Sequence, residues 1–263
     1  MKGVVSWLEF KVGLRMLVRY PGLTAVGTIA LAVAIALGTI YFEAVNKWRN
    51  PQLPIAGAER VISIRNWDAN AVAPESQSLY DFAQWRERVR TVDYLGAAIV
   101  FVRNLVTADG GIEPVRGAEI TANAFRLMGT APLLGRTLTE LDERPAEPPV
   151  AVISYRLWQA RFAGDPAVLG RTVKLGTTMA TIVGVMPEGF GFPVNQRIWT
   201  PLRLDAATLA PRTGPAVSIF GRLAPGASMD EAQTELEAIA ARIAAVNPET
   251  HEHLRPRVTT YAR

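Results

Sequence analysis

RYPGLTAVGTIALAVAIALGTIYFE (Arg19–Glu43) is a run of apolar side chains with one charge at each end and only two tyrosines as ionisable groups in between. A run of this kind is a cleaved secretory leader, a buried helix of a soluble domain, or a helix that spans a membrane. The choice among the three determines in which compartment the rest of the chain lies.

Length and composition favour the membrane span. Residues 23–42 would form a helix of about 30 Å, the thickness of the hydrocarbon core of a bilayer. A leader has a shorter apolar region of about 7–15 residues, followed by a cleavage site that is poor here. A core helix normally keeps a polar stripe, which this run lacks. We therefore predict a transmembrane helix over residues 21–43, with these apolar residues in the span: Leu23, Val26, Ile29, Leu31, Val33, Ile35, Leu37, Ile40 and Phe42.

The positive charges beside this run predict its orientation. Residues 1–22 carry three of the four net positive charges of the chain, whereas the flank that follows the run carries one. The positive-inside rule then places the N-terminus in the cytoplasm and the rest of the chain in the periplasm, with the cell inner membrane between them. Because the remainder is almost neutral, the positive charge indicates topology rather than a phosphate-binding face, and we expect no nucleic-acid partner.

The first twenty residues predict a cytoplasmic amphipathic helix. Lys11, Arg15 and Arg19 follow each other at intervals of four, so they form one basic face. Such a helix can lie on membrane lipid with its cations near the headgroups, or it can dock a cytoplasmic partner. The pattern alone leaves both alternatives open.

Two β-α-β units frame the rest of the chain. The first has strands at Glu59–Asn66 and Tyr94–Val106 and a helix capped by Ser78 and Asp81. The second has a strand at Ala216–Leu223, a helix that begins at the Ser228–Glu231 capping box and ends before Pro248, and a strand from Arg255. These units predict an α+β fold with helices on one face of a mixed sheet.

The segment between the units is rich in glycine, proline and short strands. It contains a helix capped by Ser154 and a hairpin with its turn at Gly176–Thr178. We predict a periplasmic domain in two parts: a membrane-proximal α/β subdomain from residues 55–109 and 214–263, and an inserted β-rich subdomain over residues 110–213.

Catalytic motifs are absent from the sequence. The chain of 263 residues has no cysteine, no phosphate-binding G-x-x-x-x-G-K-[ST] loop and no nucleophile elbow. Its two histidines, His251 and His253, lack a third nitrogen ligand for zinc, so we interpret their segment as a solvated polar loop. The acidic cluster at residues 140–143 has arginines beside it and is interpreted as a charged loop. We therefore predict no catalytic, metal or cofactor residues and no enzymatic activity.

The chain resembles ABC transporter permeases of the MacB/FtsX type. The resemblance rests on the basic helix, the proline–glycine pair and the span at the start. It also rests on the order of motifs in the central run, which resembles the periplasmic core domain of the branch common in acidobacterial-type duplicated permeases. These motifs are Gly129–Arg136, Ser154–Trp158, Gly164–Gly170, Val183–Pro187 and Gly189–Pro193.

The resemblance implies a role. Such permeases pair with a cytoplasmic ABC ATPase, act as homodimers or pseudo-dimers, and couple ATP hydrolysis to extracytoplasmic motion or efflux. The family has at least four spans, whereas this sequence contains one apolar run of that length. We therefore expect the N-terminal portion of a permease subunit, a truncated gene product or a single-span relic. The alternative is a single-span periplasmic binding or adaptor module without transport activity.

Overall fold

The computed structural model describes residues 19–49, 57–107, 110–203 and 209–261. The chain divides into two compact units, one of residues 1–52 with Arg263 and one of residues 53–262. The described part of the first unit includes the long helix α1 (Pro21–Arg49). Pro21 occupies its first turn, where the missing N–H would have no partner in the helix.

In the second unit, the described residues form twelve strands that hydrogen-bond into one sheet. Their bounds are β1 Val61–Asp68, β2 Ala73–Glu75, β3 Gln77–Ser78, β4 Val92–Val106, β5 Ile112–Ile120, β6 Leu134–Gly135, β7 Val150–Ile153, β8 Thr172–Leu175, β9 Thr178–Val185, β10 Ile198–Pro201, β11 Ala216–Leu223 and β12 Leu254–Thr260. The main path runs β12-β1-β11-β4-β5-β10-β7-β9-β6, and β8 joins β4 to β9.

Five α-helices accompany these strands in the described ranges: α2 Leu79–Arg88, α3 Asn123–Met128, α4 Tyr155–Phe162, α5 Met229–Val246 and α6 Pro248–His251. Three of them begin at the predicted caps. Ser78 and Asp81 form a capping box on α2, Ser228 and Glu231 form one on α5, and Ser154 caps α4. Each cap satisfies backbone N–H groups that the first helical turn leaves without a partner.

The antiparallel strands β12, β1, β11 and β4 carry helices α2 and α5 on one face. The strands and both helices bury a common apolar core, which includes Ile62, Phe82, Ile219, Leu236 and Ile239. These side chains repeat every second residue on the strands and every third or fourth residue on the helices, so each element turns one face to the core.

A second set of strands closes into a ring. Pairings run from β4 through β5, β10, β7, β9 and β8 and return to β4, where Leu105 pairs with Leu175. Helix α4 packs Leu157 and Trp158 into the same core as the strands. Each strand of the ring contributes a side chain to that core: Leu105, Val115, Ile198, Ile153, Ile182 and Leu175.

The predicted fold class is confirmed: one N-terminal apolar helix precedes a mixed α/β unit that is rich in strands. The predicted hairpin is present, since Leu175 pairs with Thr178 across the turn between β8 and β9. The predicted subdomain boundaries at residues 110 and 213 stay a prediction. Strand β4 belongs both to the four-stranded layer and to the ring, so it links the two parts through one continuous backbone.

Candidate functional site

The apolar helix α1 exposes most of its described side chains. Its segment Thr24–Phe42, of 19 residues, is the one helix among the described residues that is long and apolar enough to cross a membrane, and none of it is buried in the protein. Leu23 lies in the helix backbone. The other predicted span residues are 51–71% exposed: Val26, Ile29, Leu31, Val33, Ile35, Leu37, Ile40 and Phe42.

The three threonine hydroxyls of this helix donate to backbone carbonyls one turn back. The hydroxyls of Thr28 and Thr39 donate to the carbonyls of Thr24 and Ile35, one turn back, at 2.8 and 2.9 Å. The Thr24 hydroxyl donates to the Tyr20 carbonyl at 3.1 Å. A lipid environment offers no competing partners, so this internal bonding suits a helix that lies in hydrocarbon.

The predicted basic face is only partly described. Arg19 is exposed at the start of the apolar helix. Lys11 and Arg15 lie outside the described residues. The amphipathic helix that these three residues would form therefore stays a prediction.

The first and last strands of the second unit are neighbours. Strands β1 and β12 pair antiparallel from Ile62 opposite Thr260 to Asp68 opposite Leu254. The Tyr261 N–H donates to the Val61 carbonyl at 2.9 Å. Consequently, β1 begins at the same end of this strand pair where β12 ends.

A buried polar cluster joins α2 to the segment after α5. Asp81 is 1% exposed and His251 is 5% exposed, and the His251 Nε2 lies 3.0 Å from the Asp81 Oδ1. The other Asp81 oxygen accepts the Ser78 N–H at 2.9 Å and the Asn66 amide at 3.3 Å. The His251 Nδ1 lies 2.7 Å from the Thr250 hydroxyl. Nearly every polar atom of the cluster thus has a partner inside the protein.

This cluster corrects the interpretation of the histidine segment as a solvated loop. His251 ends the short helix α6 and is buried against Asp81, because the chain turns back after α5 and brings residue 251 onto α2. His253 lies 3.8 Å from Asp68 and is partly exposed. Among the described residues, no group of three or more potential metal ligands occurs.

The acidic cluster at residues 140–143 is more buried than a charged loop would be. Asp142 is 5% exposed and accepts both guanidinium nitrogens of Arg136, at 2.6 and 2.9 Å. Burial favours a higher pKa for Asp142, but the hydrogen bonds from Arg136 and Thr139 outweigh it and hold the pKa below its usual value. Glu143 accepts the Ala122 N–H at 2.7 Å and Arg86 at 2.7 Å. Both carboxylates therefore accept backbone N–H groups and stabilise the segments around Thr139 and Ala122.

Glu235 on α5 forms hydrogen bonds with the two residues that come just before β4. Its carboxylate accepts the Thr91 N–H at 2.8 Å, the Thr91 hydroxyl at 2.6 Å and the Arg90 N–H at 3.0 Å. Burial favours a higher pKa for Glu235, but these hydrogen bonds lower it overall. Asp142, Glu143 and Glu235 thus act as structural acceptors of backbone N–H groups.

Comparison with known proteins identifies the fold. The family model of the MacB-like periplasmic core domain matches residues 23–239. The crystal structure of the periplasmic region of MacB from Actinobacillus actinomycetemcomitans is similar with a TM-score of 0.56 at 15% identity, over 82% of this chain and 92% of that one. The extracellular domain of the noncanonic ABC-type transporter YknZ from Gram-positive bacteria is similar with a TM-score of 0.53 at 16% identity, over 76% of this chain and 99% of that one.

At these identities the two structures show a shared fold, and no curated protein sequence matches the chain. The narrower resemblance to the acidobacterial-type branch stays a prediction. The family model spans most of the second unit and begins within the apolar helix. The chain therefore belongs to the MacB-like periplasmic core domain family and is a membrane-anchored homologue of the periplasmic domains of MacB-like ABC transporter permeases.

Proposed function

We propose that this chain is the N-terminal portion of an ABC transporter permease subunit of the cell inner membrane. Its N-terminus lies in the cytoplasm beside a partner ABC ATPase, and residues 57–261 lie in the periplasm. ATP hydrolysis by the partner is coupled to movement of the periplasmic unit and so to extracytoplasmic motion or efflux. The permease works as a homodimer or pseudo-dimer, and we assign no catalytic residue to the chain.

The observation that carries this proposal is the order of parts along one chain. An apolar helix of bilayer length comes directly before a domain of the MacB-like periplasmic core family. The excess of positive charge before that helix supports a cytoplasmic N-terminus. A membrane helix and an extracytoplasmic domain in one polypeptide provide a mechanical connection across the bilayer.

The bonding within the second unit supports transmission of movement through it. Strand β1, which follows the apolar helix, pairs with β12 on one side and β11 on the other. Strand β11 pairs with β4, and β4 continues into the ring. Since strand backbones joined by hydrogen-bond ladders resist stretching, a displacement of β1 would reach the ring through three adjacent strands.

Co-purification with the partner tests the coupling. The full chain, expressed in its native host and extracted in mild detergent, should bring down an ATPase that mass spectrometry identifies by its phosphate-binding loop. Replacing Lys11, Arg15 and Arg19 together with glutamate should reduce its recovery at least about tenfold, because the predicted docking face would then repel anionic lipid and acidic partner groups.

The matched control is a second triple variant with the same change in charge. Arg65, Arg116 and Arg242 are exposed, and their side chains make no hydrogen bond or ion pair to any residue in the described ranges. Their replacement with glutamate should leave recovery of the ATPase unchanged. Equal losses in both variants, or no ATPase with the unaltered chain, would contradict the proposed coupling.

A further inference from the structure

The ring of six strands contains a pocket at one of its ends. Each strand of the ring contributes a residue to the wall: Arg103 on β4, Glu119 on β5, Thr200 on β10, Val150 on β7, Ala180 on β9 and Leu175 on β8. The mouth of a closed ring of strands is a common place for ligand sites. The volume of about 230 Å³ equals that of about eight water molecules in the liquid, so the pocket suits a small ligand.

The pocket lies at the end of the ring that is away from α4. This helix begins directly after β7 and packs Leu157 and Trp158 into the core of the ring. The pocket instead adjoins Val150, the first residue of β7, and Pro149 before it. Because β7 leads from the pocket to α4, the helix covers one end of the ring and leaves the other end for a ligand.

The floor of the pocket is apolar. Leu175 and Ala180 line the pocket and also belong to the buried core of the ring. Val150 is buried beside them at the start of β7. A ligand that turns an apolar group toward these side chains removes that group from water, which favours binding in proportion to the apolar area covered.

An ion pair forms part of the rim of the pocket. The guanidinium of Arg103 donates to Glu119 at 2.7 Å, and its carbon lies 4.2 Å from the centroid of the Phe101 ring. Gly117 pairs with Phe101, and a Cβ at Gly117 would come within 2.5 Å of that ring, so glycine leaves room for it. The side chains of Arg103 and Glu119 are 40% and 27% exposed, so the pocket reaches solvent at this rim.

The rim also holds an uncompensated cation and an unused hydroxyl. Arg203 lines the pocket and donates to the carbonyls of Glu147 at 2.6 Å and Pro145 at 3.4 Å, but it has no carboxylate partner among the described residues. The hydroxyl of Thr200 has no hydrogen-bond partner in the same parts of the chain. A guanidinium with N–H groups to spare and a free hydroxyl favour a ligand with a negatively charged acceptor.

We propose that this pocket binds a small carboxylate that carries a short apolar group. The carboxylate accepts hydrogen bonds from the guanidinium of Arg203 and the hydroxyl of Thr200, and the apolar group contacts Leu175 and Ala180. A free carboxylic acid and the C-terminal residue of a peptide share this chemistry. The ligand site does not depend on coupling to an ATPase.

Ligand-observed NMR titration of the full chain in a neutral detergent, with the detergent alone as the blank, tests the proposal. The probe 4-methylpentanoate should bind saturably. Its uncharged analogue 4-methylpentanamide should bind at least about tenfold more weakly, because it lacks the charge that Arg203 attracts. Acetate should also bind at least about tenfold more weakly, because it lacks the larger apolar group. Tighter binding of N-acetylglycyl-leucine than of 4-methylpentanoate would identify a peptide terminus as the source of the carboxylate, and the reverse order would identify a free acid.

Three variants separate this site from general charge attraction and from misfolding. Arg203→Gln should weaken the binding of 4-methylpentanoate about tenfold or more. Arg242→Gln removes an exposed arginine on α5 and should leave the affinity unchanged. Thr200→Val keeps the shape of the side chain and should weaken binding about threefold or more without lowering the unfolding temperature, because it removes only the hydroxyl. No saturable binding of 4-methylpentanoate, equally tight binding of its amide, or equal weakening by Arg203→Gln and Arg242→Gln would overturn the proposal.

Discussion

Individual acidic residues hold the second unit together at points where the chain changes direction. Asp81, Asp142, Glu143 and Glu235 each accept hydrogen bonds from backbone N–H groups as well as from side chains. A carboxylate in such a position replaces the water that those N–H groups lose on folding, so its removal leaves donors without partners.

Asp81→Ala should be strongly destabilising. The change leaves the Ser78 N–H, the Asn66 amide and His251 without their acceptor in a buried site, which should cost about 3–5 kcal/mol. The measurement is urea unfolding of the full chain in detergent. Glu252→Ala, at an exposed position next to His251, should change the free energy of unfolding by less than about 0.5 kcal/mol. A small loss of stability in Asp81→Ala would contradict this prediction and show that water replaces Asp81 as the acceptor for these groups.

Stability should fall in acid through groups such as Asp142. Its pKa in the folded state is lower than its usual value of 3.8, so it favours folding at pH values above 3.8 and stops doing so as the pH falls through the folded pKa. Asp142→Asn should therefore lower the unfolding temperature at pH 7 and have much less effect near pH 2.

The control for this pH dependence is Glu87→Gln, whose side chain is 67% exposed. That variant should follow the unaltered chain at every pH. If Asp142→Asn lowered the unfolding temperature equally at pH 7 and pH 2, the charge of Asp142 would not be the cause.

Sequence reasoning at the residue scale succeeded for local contacts and failed for distant ones. Both capping boxes join residues three positions apart, so the sequence predicts them directly. The contact of His251 with Asp81 joins residues 170 positions apart, and no local pattern indicates it.

At the scale of elements, helix α5 is held by its apolar face. Leu236 is fully buried between the sheet and α2. Leu236→Ala should cost about 2–5 kcal/mol, because the cavity that it leaves cannot close completely. Urea unfolding measures this loss of stability. Arg242→Ala, on the exposed face of the same helix, should change the free energy of unfolding by less than about 0.5 kcal/mol. If Leu236→Ala and Arg242→Ala lowered the stability equally, the assignment of a buried and an exposed face to α5 would be wrong.

The apolar helix α1 should lose its membrane insertion when a charge enters its centre. Val33→Arg places a cation midway along Thr24–Phe42, which disfavours insertion by about 2.5–3.5 kcal/mol. The fraction of the chain that stays in carbonate-washed membranes should fall, whereas Val33→Leu should leave it unchanged. Full retention of Val33→Arg would contradict a span centred at this residue.

The sequence predicted most elements but not how the strands combine. Strand Ala216–Leu223 was predicted with its observed bounds, because β-branched and aromatic residues alternate between two turns. The closure of the ring by β8, between β4 and β9, was not predicted. Parallel and long-range pairings depend on strands far apart in sequence, and short apolar strands carry little information about their neighbours.

At the scale of the whole molecule, one chain contains an apolar helix of bilayer length and a domain of the MacB-like periplasmic core family. The length of the apolar run and the order of the central motifs were sufficient to predict the family, which the family model confirms over residues 23–239. Partners, dimerisation and cargo depend on surfaces that meet other molecules, and a single sequence does not mark such surfaces.

Cysteine accessibility tests the central claim most directly, because the chain contains no cysteine. Ala160→Cys and Ala241→Cys introduce thiols at exposed positions of the second unit, and Ser6→Cys introduces one before the apolar helix. In spheroplasts, a membrane-impermeant maleimide should label positions 160 and 241, and it should label position 6 only after the membrane is opened. Labelling of position 6 alone in intact spheroplasts, or protection of positions 160 and 241 until lysis, would contradict the account.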